Sequence, residues 1–134
     1  MPKILVDTDI ISYYFKGNAD VVSKLDEYEG KEGPVFLSRL TVVEILGGLK
    51  AKNAVKQEFR FRSWPSSRSI LEITAETGEI AAGLIAHLLQ NGFHSGSYDV
   101  LIAATAIQNN LTLCTNNVKD YQNFFGLNLI NWKG

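Results

Sequence analysis

Cysteine, histidine, net charge and long apolar runs are all scarce in this 134-residue chain. Cys114 is the single cysteine, which excludes an internal disulfide and a cysteine metal cluster. It falls in a predicted core strand and reads as a small buried hydrophobe. The two histidines, His87 and His94, lack partners at metal-ligand spacing, so both read as structural. Thirteen Lys and Arg against fourteen Asp and Glu leave a formal charge of −1. No global field therefore draws the protein onto nucleic acid, and any such contact must be local. No apolar run approaches the ~20 residues that span a bilayer. The first residues meet acid at Asp7 before a leader core could form, so no membrane and a cytoplasmic location are expected. Neither Gly-x-x-x-x-Gly-Lys-Ser/Thr nor Gly-x-Gly-x-x-Gly occurs, which removes the common nucleotide-binding loops.

Internal repeats, low-complexity tracts and linkers are also missing, so residues 1–134 are expected to form one domain. That length suffices to bury roughly two-thirds of the unfolded chain's surface. Short apolar strands are predicted at 3–7, 35–38, 70–73, 111–114 and, weakly, 127–130. Between them lie helices at about 8–15, 20–28, 41–52, 74–90 and 97–110, with a polar turn at 29–34. Trp64, Pro65, Ser66 and Ser67 punctuate the chain before the third strand. Strands alternating with helices indicate a parallel α/β sheet with right-handed crossovers. In such sheets ligands bind beyond the carboxyl ends of the strands.

The chain is organised around the helix at 97–110. Val100, Ala103, Ala104 and Ile107 recur at i, i+3, i+4 and i+7, while Leu101, Ile102 and Ala106 fill much of the remainder. Such a helix is buried nearly all round and holds its first-turn acid, Asp99, rigidly. Taken alone, Asp99 reads as a helix N-cap. Other acids change that reading. Asp7 closes strand one, Asp9 follows two residues on, and Asn116, Asn117 and Asp120 come directly after strand four. If strands one and four are neighbours, these groups share one crevice. Glu44 lies opposite the apolar stripe of its helix (Val42, Ile45, Leu46, Leu49), together with Gly47 and Gly48. A solvent-facing Glu needs no explanation, but two helical glycines in succession point to a close approach there. Two carboxylates about 5 Å apart repel by roughly 3 kcal/mol at an effective dielectric near 20. A cluster of them therefore calls for protonation or a cation. Oxygen donors without cysteine or paired histidine suit Mg²⁺ or Mn²⁺, ions that serve nuclease chemistry.

Four segments, in order, resemble the motifs of PIN domains: Leu5-Val6-Asp7-Thr8-Asp9, Thr41 to Gly48 around Glu44, Asp99 to Thr105, and Thr115-Asn116-Asn117-Val118-Lys119-Asp120-Tyr121. The last is most similar to VapC-type toxin ribonucleases of toxin–antitoxin operons. The likeness spans essentially the whole chain, to Asn131 and Trp132. It implies a PIN-like sheet of about five strands in the order 3-2-1-4-5 with helices on both faces. It also implies Mg²⁺- or Mn²⁺-dependent cleavage of RNA, leaving a 5′-phosphate and a 3′-hydroxyl. A VapB-type antitoxin and a homodimer follow from the same likeness. Carried over by position, Asp7, Glu44 and Asp99 match the first three family acids: Asp7 and Asp99 as direct metal ligands, Glu44 through water or as the group positioning the nucleophile. Asn117 stands where aspartate is usual and supplies no charge, and Asp120 is the group that could replace it. Asp9, where Asn or Ser is common, reads first as the cap of helix one.

Lys50, Lys52, Lys56, Arg60, Arg62 and Arg68 gather positive charge in one region. A solvated face explains such a run; a phosphate-contacting rim is the functional reading. Arg39, just after strand two, is a further candidate phosphate contact. Phe59, Phe61 and Trp64 are interleaved with the basic run and could stack on bases, fill the core or line a groove for an antitoxin helix; the groove is preferred. Thr105, inside its helix, is expected to bond its own backbone. Two rival readings compete. A phospho-receiver module needs an Asp after strand three, where Thr74 and Ala75 stand. A PIN-fold scaffold without chemistry has Asn117 alone in its favour.

Overall fold

A computed structural model describes residues 2–64 and 68–134. In chain order the elements are β1 (Ile4–Val6), α1 (Thr8–Phe15), α2 (Ala19–Glu32), β2 (Phe36–Ser38), α3 (Arg39–Ala51) and α4 (Val55–Ser63). They continue with β3 (Ser69–Leu71), α5 (Ala75–Gln90), α6 (Ser97–Gln108), β4 (Thr112–Cys114), α7 (Val118–Tyr121) and β5 (Leu129–Ile130). The five strands are all parallel, in the order β3-β2-β1-β4-β5. β1 and β4 are thus neighbours, with Leu5 opposite Leu113 and Val6 opposite Cys114.

Each strand alternates its side chains between two apolar layers. Ile4, Val6 and Cys114 face α1, α2 and α3 with Ile10, Ile11, Leu25 and Val42. Leu5 and Leu113 face α5 and α6 with Leu84, Ile102, Ala103 and Ala104. Along α6, Val100 and the run from Ile102 to Ala106 are buried, as their small side chains permit. Thr105 Oγ1 donates to Leu101 O at 2.8 Å, inside its own helix.

Several boundaries depart from expectation for local reasons. α2 runs on to Glu32 where a turn was expected; Gly33 at φ +96° ends it, in a conformation costly for any other residue. The basic stretch after α3 is itself a helix, α4. Thr74 and Thr77 form a reciprocal cap at the start of α5. Gly47 and Gly48 are solvent-exposed, and among the described residues nothing outside their own helix lies within 4 Å of where their Cβ atoms would stand. The punctuation read at Pro65–Ser67 lies outside the described residues.

Candidate active site

β1 ends where the first charged group must leave the sheet, and Asp7 does so as the N-cap of α1, a position expected for Thr8 or Asp9. Its Oδ1 accepts from Thr8 N and its Oδ2 from Thr115 Oγ1, each at 2.8 Å. Asp7 is 4% exposed. Burial, then Asp9 and, more weakly, Asp99 push it up to about 7 against those two hydrogen bonds. Asp9 is not the N-cap of α1, but its Oδ1 accepts from Ile10 N at 2.8 Å in the first turn, while its Oδ2 accepts from Asn116 N at 2.9 Å and so ties the loop after β4 to the end of β1. Burial raises Asp9 as well.

Asp99 sits in the first turn of α6 but is not its cap, which is Gly96. Tyr121 Oη donates to Asp99 Oδ1 at 3.1 Å. Burial raises Asp99, Tyr121 lowers it, and nearby Asp120 raises it again. The Tyr121 phenol is itself raised, by burial and by the charges of Asp7 and Asp99. Glu44, half-buried on α3, faces a different donor: Thr8 Oγ1 gives its proton to Glu44 Oε1 at 2.8 Å and lies 3.1 Å from Thr41 Oγ1. Among the described residues, no three Asp, Glu, His or Cys side chains are close enough together to hold a metal ion. Asp7 and Asp99 both meet the Tyr121 phenol, with Glu44 held beside Thr8.

Asn117 is exposed at the N-cap of α7 and makes no capping bond with its side chain. Its backbone N–H donates to Thr115 Oγ1 at 3.0 Å. Asp120 is exposed and lines a polar cleft of about 370 Å³ with Asp99, His94, Lys119 and Asn123.

The PIN domain family matches residues 4–122. The chain belongs to the PIN-domain family. It is similar to Ribonuclease VapC2 of Rickettsia felis, 29% identical over 129 residues that cover 96% of each chain. It is also similar to the tRNA(fMet)-specific endonuclease VapC of Shigella flexneri, 23% identical over 98% of this chain and 99% of the relative. Among solved structures it resembles VapBC2 from Rickettsia felis bound to a promoter DNA fragment, with a TM-score of 0.87 at 27% identity, covering 97% of this chain and 98% of the other. FitAcB from Neisseria gonorrhoeae matches at a TM-score of 0.82 and 28% identity over 96% of each chain. The five-stranded order 3-2-1-4-5 is the PIN fold of these neighbours.

In this PIN domain a second, larger groove of about 440 Å³ begins at Thr8 and Glu44. Ile11, Phe15, Ile45, Leu49 and Phe61 give it an apolar floor, and Lys16, Lys52 and Arg60 stand on its rim. Of the other basic candidates, Arg39 pairs with Glu72 at 2.6 Å, while Lys50 and Arg62 share Glu58 at 3.1 and 2.9 Å. Lys56 is exposed on α4. Arg68 bonds Glu29 and covers the Trp64 ring. Phe61 is 2% exposed, a core residue that also floors the groove; Trp64 is partly buried and packs on Tyr14 and Phe15 at the edge of the core; Phe59 is exposed. His87 lies against Phe125.

Reading the sequence missed the hydroxyls of Thr8, Thr115 and Tyr121, which hold the three acids. Thr8 and Thr115 each adjoin a singled-out residue in chain order, but nothing in a single chain tells which hydroxyl reaches which acid.

Proposed function

We propose that this PIN domain is a VapC-type ribonuclease, the toxin of a toxin–antitoxin pair, which hydrolyses RNA phosphodiester bonds with the help of Mg²⁺ or Mn²⁺. The observation that carries the reading is the pairing of Asp7, buried at the carboxyl end of β1, with half-buried Asp99 in the first turn of α6; among the described residues no lysine or arginine is bonded to either acid. A carboxylate pushed up to about 7 by burial and by other acids lacks positive charge. Hard oxygen donors fit a divalent cation, with Asp7 and Asp99 as its direct holders and Glu44 reaching it through water. Such an ion, when bound, polarises phosphoryl oxygen and lowers the pKa of water.

The rest belongs to the chain's own groups. Thr115 and the Thr8 backbone fix the Asp7 oxygens. Thr8 holds Glu44 at the mouth of the large groove, and Asp9 keeps the Asn116–Asn117 turn against β1. The VapBC complexes among the structural neighbours support a VapB-type antitoxin as partner. The apolar groove with Lys16, Lys52 and Arg60 on its rim suits an amphipathic antitoxin segment carrying acids.

The test is cleavage of purified RNA by the wild type and by Asp99→Asn, with Mn²⁺ and with EDTA. Cleavage confined to the wild type with Mn²⁺ is expected. Equal cleavage by Asp99→Asn, or cleavage in EDTA, would overturn the assignment.

A further inference from the structure

Tyr121 carries an oxygen that its pocket does not require. The residue closes α7 with 1% of its surface exposed. Its ring belongs to the apolar cluster that holds Ala103 and Leu113, with the Phe124 centroid 5.8 Å away. Phenylalanine would fill that space equally well, since ring burial is a matter of apolar area. What tyrosine adds is one O–H inside a low-dielectric wall, where a donor needs a partner. Its partner is Asp99, at 3.1 Å, with Asp7 also within reach.

The three acids are supported unequally. Asp7 has two donors and Glu44 has Thr8. Among the described residues, Tyr121 supplies the one hydrogen bond that the Asp99 carboxylate receives. Asp99 also lies on the edge of the open polar cleft, where its side chain has room to swing towards solvent. The phenol comes off α7, from a side chain that is 1% exposed and packed in the core, so its position is set by that packing.

We infer that Tyr121 is a positioning residue, its hydroxyl holding the Asp99 carboxylate towards Asp7 so that the pair is set before a divalent cation arrives. This rests on the reading of Asp7 and Asp99 as cation holders. Outer partners of this kind typically govern metal affinity by 10–100-fold.

The experiment is calorimetric titration of Mn²⁺ into the wild type, Tyr121→Phe and Thr105→Ala, with thermal midpoints recorded in EDTA. Thr105 is the control: its hydroxyl serves only its own helix. Tyr121→Phe should bind Mn²⁺ about tenfold more weakly with its midpoint in EDTA kept, and Thr105→Ala should bind like the wild type. Wild-type affinity in Tyr121→Phe, or the same loss in Thr105→Ala, overturns the inference while leaving the site in place. A wild type that binds no Mn²⁺ overturns the site, and the inference with it. A second readout needs no change at position 121. One of the five tyrosine ¹³Cζ NMR signals should shift on adding Mg²⁺ to the wild type and stay still in Asp99→Asn. Mg²⁺ binding that moves no tyrosine signal counts against the inference.

Discussion

Thr115 reaches from the end of β4 to Asp7 at the end of β1, its hydroxyl donating to Oδ2 at 2.8 Å. The Thr115 hydroxyl oxygen in turn accepts from the Asn117 backbone N–H, so one side chain orients the buried acid and the turn beside it. Thr115→Val keeps the shape and removes both bonds. A hydrogen bond to a charged group contributes about 2 kcal/mol. The variant should unfold at lower urea, with the larger loss at pH 8, where Asp7 is ionised, than at pH 5. Equal losses at both values would mean that Thr115 serves packing alone.

Asp7 itself makes the metal-free protein less stable as pH rises. Its value is near 7 when folded against 3.8 as the reference, so the folded state holds the extra proton between them. Stability from this group is fully present below 3.8, falls as pH climbs to about 7, and is flat above. The span corresponds to roughly 4 kcal/mol. In EDTA, Asp7→Asn should therefore gain on the wild type between pH 4 and 7 in urea unfolding, while losing RNA cleavage. A constant difference across that range would contradict the burial argument.

Thr8 is the hydroxyl that holds Glu44. Thr8→Val should lower RNA cleavage about tenfold or more, and Thr8→Ser should stay within about twofold of the wild type. Circular dichroism should be unchanged in both. Full cleavage by Thr8→Val would show that Glu44 needs no such support.

The groove predicts a separation of functions. Leu49 lies on its floor, away from the Asp7–Asp99 pair. Leu49→Glu should abolish co-purification with the cognate antitoxin while Mn²⁺ binding and RNA cleavage persist. Retained antitoxin binding would place the partner elsewhere.

How far the sequence discloses this arrangement depends on the range of the forces involved. The strands are legible because Ile4–Val6 and Leu113–Cys114 are continuous apolar runs, as a doubly covered parallel sheet demands. α6 is legible from its small apolar residues. α7 is not, since four residues are too few to show a period. α4 is masked by the exposed Val55 and Phe59, which blur its apolar face around buried Phe61. At the site, the acids stand out by type and order, but their partners do not. Asp9 and Asn116 are 107 positions apart, and Tyr121 meets Asp99 across 22. The register of β1 against β4 brings the first pair together, and the packing of α7 against α6 the second.

That register also has a consequence in time. Along the chain Thr115 follows Asp7 by 108 residues, so a ribosome makes the acid well before its partner. Until then β1 lacks β4 on one side, and the crevice lacks its wall and the phenol of Tyr121. Whatever chemistry the crevice performs is therefore silent until β4 and α7 have been made and have docked beside β1.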